Sequence, residues 1–300
     1  MVIKRNQFLW DFYKCSKGII PGCLKSVSYE KSEFKNPNVL NKDQLPKVCY
    51  MSLFPTFLNA ELVDEDNYKV KKIEHYGFSG GAMLVSDSNS TDDYLKKFTK
   101  RQLRVNLKRA MKKLEDAHAV KYEYHFGDIS DETCKNLLSA LRNMILGRFD
   151  GRVEDHVFLM EWDKNTDDLA ESIRAKKSSL FVVYADDKPI SISVNRHINN
   201  TILFSETHSF DTDYTKYSLG HIDNYMLLNW AIENQYPYID LGIGVFDYKS
   251  KWCNSIYDIE YLVFYKKKST LAYTIAQFEA GKINLKNTVK ALKDRIQKNK

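Results

Sequence analysis

Residues 180–252 read LFVVYADDKPISISVNRHINNTILFSETHSFDTDYTKYSLGHIDNYMLLNWAIENQYPYIDLGIGVFDYKSKW, and the order of elements in this stretch decides the fold. Leu180-Phe181-Val182-Val183-Tyr184 is a continuous apolar run, the pattern of a strand covered on both faces. Ala185-Asp186-Asp187-Lys188 makes a turn. Ile190, Ile192 and Val194 then alternate with Ser191, Ser193 and Asn195, and Asn199-Asn200 turns the chain again before a strand over Thr201–His208. Three antiparallel strands therefore follow one another. A helix from about Leu219 to Gln235 turns Leu219, Ile222, Met226, Leu227 and Trp230 inward. Tyr238–Leu241 is a short strand, Gly242-Ile243-Gly244 allows a sharp turn at its end, and Asp247–Trp252 forms a helical turn before a last strand over Ile256–Tyr265.

Several side chains in this stretch could carry chemistry. On the third strand, a period of two puts Phe204, Glu206 and His208 on one face and Leu203, Ser205 and Thr207 on the other. A carboxylate beside an imidazole can transfer protons, and a hydrogen-bonded structural pair would account for the same residues. Ser218 suits a helix N-cap, and Gly220 in the first turn removes the side chain that would keep a diphosphate from the free backbone N–H groups. Any capped helix begins in a similar way. Beyond the fourth strand, Asp247, Tyr248, Lys249, Lys251 and Trp252 suit a site better than a core, because a core does not retain that many charges.

Working outward, Leu95–Asp116 reads as one helix with Leu103, Leu107, Ala110 or Met111, and Leu114 on a single face. Nine Lys or Arg lie between Lys96 and Lys113 with no acid among them, which points to an acidic partner or to a solvated face. Val120–Phe126 alternates as a half-buried strand, a helix starts at Asp128 or Ser130 and stops near Gly147, Asp150–Asp155 is a polar loop, and Glu161–Lys176 is a second helix. Before residue 68 a helix at Asn6–Cys15 and a strand at Val48–Phe54 stand in a loop-rich region broken by prolines. Gly77-Phe78-Ser79-Gly80-Gly81 reads as a turn leading into a strand at Ala82–Ser86, without the spacing or lysine of a phosphate-binding loop. Ser269–Lys300 reads as two amphipathic helices that pack on the sheet, meet a partner or lie on an anionic membrane.

A chain of 300 residues suits two lobes. Five cysteines, an odd number without CxxC or metal-ligand spacing, suggest reduced thiols and no metal. Neither a signal peptide nor an apolar span is visible. These features predict a cytoplasmic protein, with peripheral contact at the inner membrane face left open. A net charge of +6 suits an anionic ligand, a nucleic acid or a membrane surface without choosing among them.

The order of elements from the basic helix onward resembles the GNAT acyltransferase fold. Tyr217-Ser218-Leu219-Gly220 resembles the Tyr-Ser-Pro-Gly that opens the coenzyme-binding helix of the CelD-like branch, linked to cellulose and exopolysaccharide synthesis. Asp240-x-Gly242-x-Gly244-x-x-x-Tyr248-Lys249-x-x-Trp252 resembles that branch's Asp-Phe-Gly-Arg-Gly-x-x-x-Tyr-Lys-x-x-Trp, and Arg104, Asn106 and Arg109 resemble its R-x-N-x-x-R. Leu219 stands where the branch has Pro, Ile243 where it has Arg, and Val245 where an acid is common.

The resemblance implies an α/β (α+β) GNAT fold, a mixed and mostly antiparallel sheet flanked by helices, with a partial divergent N-terminal GNAT-like lobe. The expected division is 1–95 for that lobe, 96–268 for the acyltransferase domain and 269–300 for a C-terminal helical extension. The implied activity is transfer from acyl coenzyme A, acetyl-CoA first, to an amine or hydroxyl of a sugar, amino acid or cell-envelope precursor. Thr207, Ser209 and Phe210 would then lie along the thioester, and Tyr217, Ser218, Leu219 and Gly220 would meet the pyrophosphate. The implied general bases are Glu206, His208 and Asp247 in that order, with Tyr248 protonating the leaving thiolate and Lys249 binding an acidic acceptor. Asp240, Gly242, Gly244 and Trp252 would shape the acceptor side, although Asp240 reads more readily as tying down the glycine-rich loop and Trp252 as packing against Tyr248. Two alternatives accompany this reading: a Fem-type transferase that takes its aminoacyl group from tRNA, and an inactive GNAT-fold binding module.

Overall fold

A computed structural model describes residues 2–14, 19–148, 156–244 and 247–298. The chain divides into two compact units, Met1–Gly80 with Ile256–Lys300, and Gly81–Ser255. This division differs from boundaries at 95 and 268, since the last strand and the C-terminal helix group with the N-terminal residues.

The first unit opens with β1 (Ile3–Gln7) running directly into α1 (Phe8–Lys14), followed by β2 (Leu24–Tyr29), β3 (Ser32–Lys35), β4 (Val48–Pro55), β5 (Asn59–Leu62) and β6 (Tyr68–Leu84). The expected helix at Asn6–Cys15 thus begins two residues late, because Ile3–Gln7 pairs in parallel with Val48–Ser52. β3, β2 and β5 form a three-stranded sheet inside the region read as loop. β6 runs unbroken through the glycines expected to turn. A Cβ at Gly80 would collide with the ring of Tyr257, so glycine there serves a close approach between neighbouring strands.

In the second unit the single expected basic helix is two, α2 (Thr91–Phe98) and α3 (Arg101–Glu115). Arg104 explains the break. Its Nη1 donates to the carbonyls of Leu95 and Thr99, closing the end of α2 and giving this arginine a structural task. Next come β7 (Val120–His125), α4 (Asp131–Arg148), and α5 (Val157–Met160), α6 (Trp162–Thr166) and α7 (Leu169–Arg174) where one helix was expected. The loop at Asp150–Asp155 lies outside the described residues. β8 (Ser178–Ala185), β9 (Lys188–Ile198), β10 (Ile202–Phe210), α8 (Leu219–Glu233), β11 (Tyr238–Ile243) and α9 (Asp247–Ser250) complete this unit. The chain then returns to the first unit with β12 (Ser255–Lys266) and α10 (Thr270–Lys298), one helix in place of two.

The strand order in the second unit is β11-β10-β9-β8-β7, with the end of β6 beside β11. All the pairs from β10 to β7 are antiparallel, and β10 with β11 is parallel. Phe181, Val183 and Leu203 pack with α2, α3 and α8 on one face, while Leu180, Val182, Ile192 and Val194 pack with α4, α5 and α7 on the other. This is the mixed, mainly antiparallel sheet between helices that the sequence implies. Among the described residues no helix is long and apolar enough to cross a membrane, and no three His, Cys, Asp or Glu could hold a metal ion together.

Candidate active site

β10 and β11 pair over three positions only, Ile202–Phe204 against Tyr238–Asp240, and then part while both continue. Beyond that point β10 carries a β-bulge between Ser205 and Thr207 in its ladder with β9. One extra residue reverses the alternation after it. Phe204 pairs with Arg196 before the bulge and His208 pairs with Ser193 after it, so Glu206 and His208 do not share a face as simple alternation predicts.

The bulge separates their tasks. Glu206 turns to the α4 side, where its Oε2 lies 2.6 Å from Arg196 Nε and both side chains are almost wholly buried. Arg196 also donates to Ser178 Oγ and to the carbonyl of Asn165, which leaves it fully engaged. Glu206, the first candidate for general base, is therefore one half of a buried ion pair, and that pair fixes the bulged strand. His208 turns to the α8 side. Its Nε2 lies 2.8 Å from Ser191 Oγ, and its Cε1 and Nδ1 are the atoms that a Cβ built on Gly220 would meet.

A cavity of 410 Å³ opens where the strands part, and both faces of the sheet reach it. α4 supplies Arg148; β10 supplies Ser205, Glu206, Thr207, His208 and Phe210; the start of α8 supplies Ser218, Leu219 and Gly220. His221, Asp223 and Asn224 line it from the next turn of α8, and Leu241, Tyr248 and Lys249 close the remaining side. Of the expected site residues, Thr207, His208, Phe210, Ser218, Leu219, Gly220, Tyr248 and Lys249 thus meet at one cavity, with Glu206 at its edge.

Other expected residues stand elsewhere. Ser209 is buried and does not line the cavity. The Tyr217 hydroxyl meets His118 Nε2 at 3.3 Å, on the side of α3. Asp240 is wholly buried and accepts the Gly242 N–H at 2.7 Å, which holds the glycine-rich turn instead of touching a ligand. Gly242 and Gly244 have φ of +77° and +89°, and a Cβ at Gly242 would press on Phe204 at 3.3 Å. Trp252 is fully buried: its indole N–H donates to His221 Nδ1 at 3.0 Å and its carbonyl accepts the Tyr94 hydroxyl. Asp240 and Trp252 thus brace the glycine-rich turn and the start of α8 that borders the cavity. The side chain of Asp247 lies outside the described residues, as does Val245.

Burial sets the electrostatics. It lowers the pKa of His208 below the usual imidazole range, with Asp223 opposing and Arg148 adding to the shift, so the ring is neutral at pH 7. Desolvation raises the pKa of Asp223, which the nearby His208 partly offsets. Tyr248 is likewise raised by burial, and Lys249 is lowered by it although Asp240 and Cys253 pull the other way. The Lys249 ammonium donates to the Ile243 carbonyl at 3.2 Å.

The start of α8 differs from the expected cap. Ser218 takes a left-handed conformation, φ +53° and ψ +43°, and its side chain caps nothing. Among the described residues nothing accepts from the N–H groups of Leu219 and Gly220, which a helix cannot satisfy within itself. Around Gly220 there is room for a ligand, since a Cβ built there would meet only the His208 ring, at 3.7 Å, an ordinary contact. With Arg148 close by, its guanidinium 4.6 Å above the Phe210 ring, the surroundings suit an anionic ligand that needs close backbone approach. The pyrophosphate of a coenzyme A thioester fits that description.

A parted pair of parallel strands, a bulge beside the parting and an open helix N-terminus at one cavity define the GNAT class of acyltransferase fold. The sequence agrees: residues 101–250 match the family described as acetyltransferase (GNAT) domain, half of the chain, and the chain belongs to that family. No curated protein matches the sequence. Among solved structures, FemX superposes with a TM-score of 0.53 at 12% identity, covering 78% of this chain and 76% of that one. The C-terminal domain of a putative lysylphosphatidylglycerol synthetase from Agrobacterium fabrum gives a TM-score of 0.48 at 12% identity, over 77% of this chain and 71% of that one.

Sequence reasoning missed Arg148, Ser205, His221, Asp223 and Asn224. Asp223 and Asn224 carry the one signal that could have revealed two of them, an adjacent acid and amide interrupting an otherwise apolar helix face.

Proposed function

We infer that this chain is an acyl-CoA-dependent acyltransferase acting on an amine or hydroxyl of a sugar, amino acid or cell-envelope precursor. The observation that carries the reading is the shared cavity of neutral His208 and the first turn of α8. When bound, acyl-CoA would supply an activated acyl carbonyl; Leu219 and Gly220 N–H, with Arg148, would hold its phosphates.

In the tautomer whose Nε2–H is donated to Ser191 Oγ, 2.8 Å away, His208 Nδ1 carries the lone pair that accepts the proton of the attacking amine or hydroxyl. Tyr248, whose raised pKa keeps it protonated, stands at the same cavity to return a proton to the leaving thiolate. Backbone N–H groups beside the bulge of β10 meet the oxyanion. The floor of the acceptor side is polar: Asp223 Oδ1 and Asn224 Nδ2 are buried and bond no other described residue. A carboxyl and an amide so placed suit an acceptor with both donor and acceptor groups. The resemblance of Tyr217–Gly220 and Asp240–Trp252 to the CelD-like motifs supports a glycan or envelope precursor as that acceptor.

The test is thiol release. Incubation with short and long acyl-CoAs and a panel of amines and sugars is expected to liberate free coenzyme A in an acceptor-dependent way. No heat of binding for any acyl-CoA, together with no thiol release, would sink the reading. A second reading takes the aminoacyl group from tRNA, and the basic side of α3 motivates it: Arg101, Lys108, Arg109, Lys112 and Lys113 are exposed. Binding of charged tRNA that weakens steeply with salt would favour it over acyl-CoA.

A further inference from the structure

α10 has two unlike faces. Ala272, Ala276, Ala280 and Ile283 are buried against the first unit, where Glu279 pairs with Arg5 at 2.8 Å and Asn287 bonds the backbone of Glu74 and Tyr76. The other face repeats apolar residues at seven-residue spacing. Leu271, Phe278, Leu285 and Leu292 are 48%, 64%, 66% and 51% exposed, and Val289 and Ile296, one turn along the same stripe, are 44% and 60% exposed. At 1.5 Å per residue this stripe is about 38 Å long, far more than the scattered apolar residues of an ordinary surface.

The charges decide what covers it. α10 holds six basic residues against two acidic ones, and one of those acids, Glu279, is buried in its ion pairs. Lys282 sits within the stripe with its ammonium 4.9 Å above the Phe278 ring, while Lys286 and Lys293 flank one border and Arg295 the other. Two copies joined along this stripe would bring those like charges together, whether parallel or antiparallel. An anionic bilayer surface accepts both features at once, taking the apolar stripe to the acyl boundary while the lysines reach back to the headgroups.

We propose that α10 is an interfacial helix that docks the chain on anionic membrane surfaces through Leu271, Phe278, Leu285, Val289, Leu292 and Ile296. All of these residues belong to the first unit, so the proposal stands whatever the cavity of the second unit transfers.

Vesicle sedimentation of the full chain tests it. The chain is expected to sediment with phosphatidylglycerol-rich vesicles and to stay in solution with phosphatidylcholine alone, with partition falling about tenfold or more at high salt. Leu285→Ser with Leu292→Ser should lower partition by a similar factor at unchanged Tm, and Lys286→Glu with Lys293→Glu should remove the preference for anionic lipid. Hydrogen exchange on the unmodified chain gives a readout that needs no variant: amides over 285–296 should slow with anionic vesicles only. Failure to sediment with either vesicle overturns the proposal, as does equal binding to both. Concentration-dependent dimerisation through the same leucines without vesicle binding also overturns it, and assigns the stripe to a second copy of the chain.

Discussion

Both units build a bulged strand between one antiparallel and one parallel neighbour, and they use it differently. In the first unit β4 is antiparallel to β12 and parallel to β1, with its irregularity near Leu53, which sits at φ +58°. There β1 pairs over its whole length and turns at once into α1, whose Phe8, Leu9 and Phe12 fill the core. In the second unit β11 runs on beyond its last pairing with β10, and a cleft opens between them. Cavity size does not separate the two, because the first unit carries a cavity of 520 Å³ lined by Arg5, Tyr50, His75 and Tyr261. The difference lies in what meets there: only the second unit's cavity, among the described residues, sets a half-buried imidazole against the start of a long helix. A bulge makes a site when the neighbouring strand leaves it free.

The sharpest way to break that comparison is to remove the imidazole. His208→Ala should lower kcat about 10³-fold, in the range of a lost general base, while acyl-CoA affinity measured by calorimetry stays within a few-fold. Unchanged turnover would show that the cavity's chemistry lies elsewhere. The next effect falls on the frame. Arg196→Met leaves the Glu206 carboxylate buried without its partner, and the expected loss is about 3 kcal/mol in urea unfolding. Loss of stability with kcat kept would confirm that Glu206 holds the strand and does not act on substrate.

An effect of similar size is pH-dependent. His197, behind the cleft, is bonded to Ser179 and Tyr236, and burial with the charge of Arg196 takes its pKa from 6.5 down to about 3. Between those values the unfolded chain binds a proton that the folded chain does not, so stability rises with pH. The expected slope from this residue is about 1.4 kcal/mol per pH unit. Urea unfolding from pH 4 to 7 measures it, and His197→Gln should flatten the curve by that share. The burial-lowered pKa of His208 shifts in the same direction, and it places the acid limb of kcat/KM below pH 6.5.

The sequence was legible where period and turn residues speak locally. The apolar run at Leu180–Tyr184, the Asn199-Asn200 turn and the stripe of α8 each announce themselves, and together they order the sheet. It was silent where one residue changes the register. Nothing in Phe204–His208 marks a bulge, and without it Glu206 and His208 fall on the same face and look like partners. Nor does the sequence near Glu206 name Arg196, ten residues earlier, as its ion-pair partner. Asp240 reads in sequence as tying down the glycine-rich loop and accepts the Gly242 N–H there, while nothing in the sequence names His221 as the partner of Trp252. Division of the chain was hidden for a topological reason: β12 and α10 come last in sequence and pack with what came first.

The weakest perturbation tests the comparison from its other side. His75 is the first unit's counterpart to His208: half-buried, stacked on Phe78 at 4.0 Å and bonded through Nε2 to the Tyr261 hydroxyl at 3.1 Å, with burial lowering its pKa. Judged by pKa direction alone the two histidines are alike. Their surroundings are not, since His75 faces tyrosines and the lysines of α10, whereas His208 faces the turn at Gly220. His75→Gln keeps a polar end for the Tyr261 hydroxyl, so it should change stability by no more than about 1 kcal/mol and leave kcat and acyl-CoA affinity within about twofold. A drop in turnover comparable to that of His208→Ala would mean that an imidazole in either unit serves the reaction, and the contrast between a parted and a closed parallel pair would lose its functional meaning.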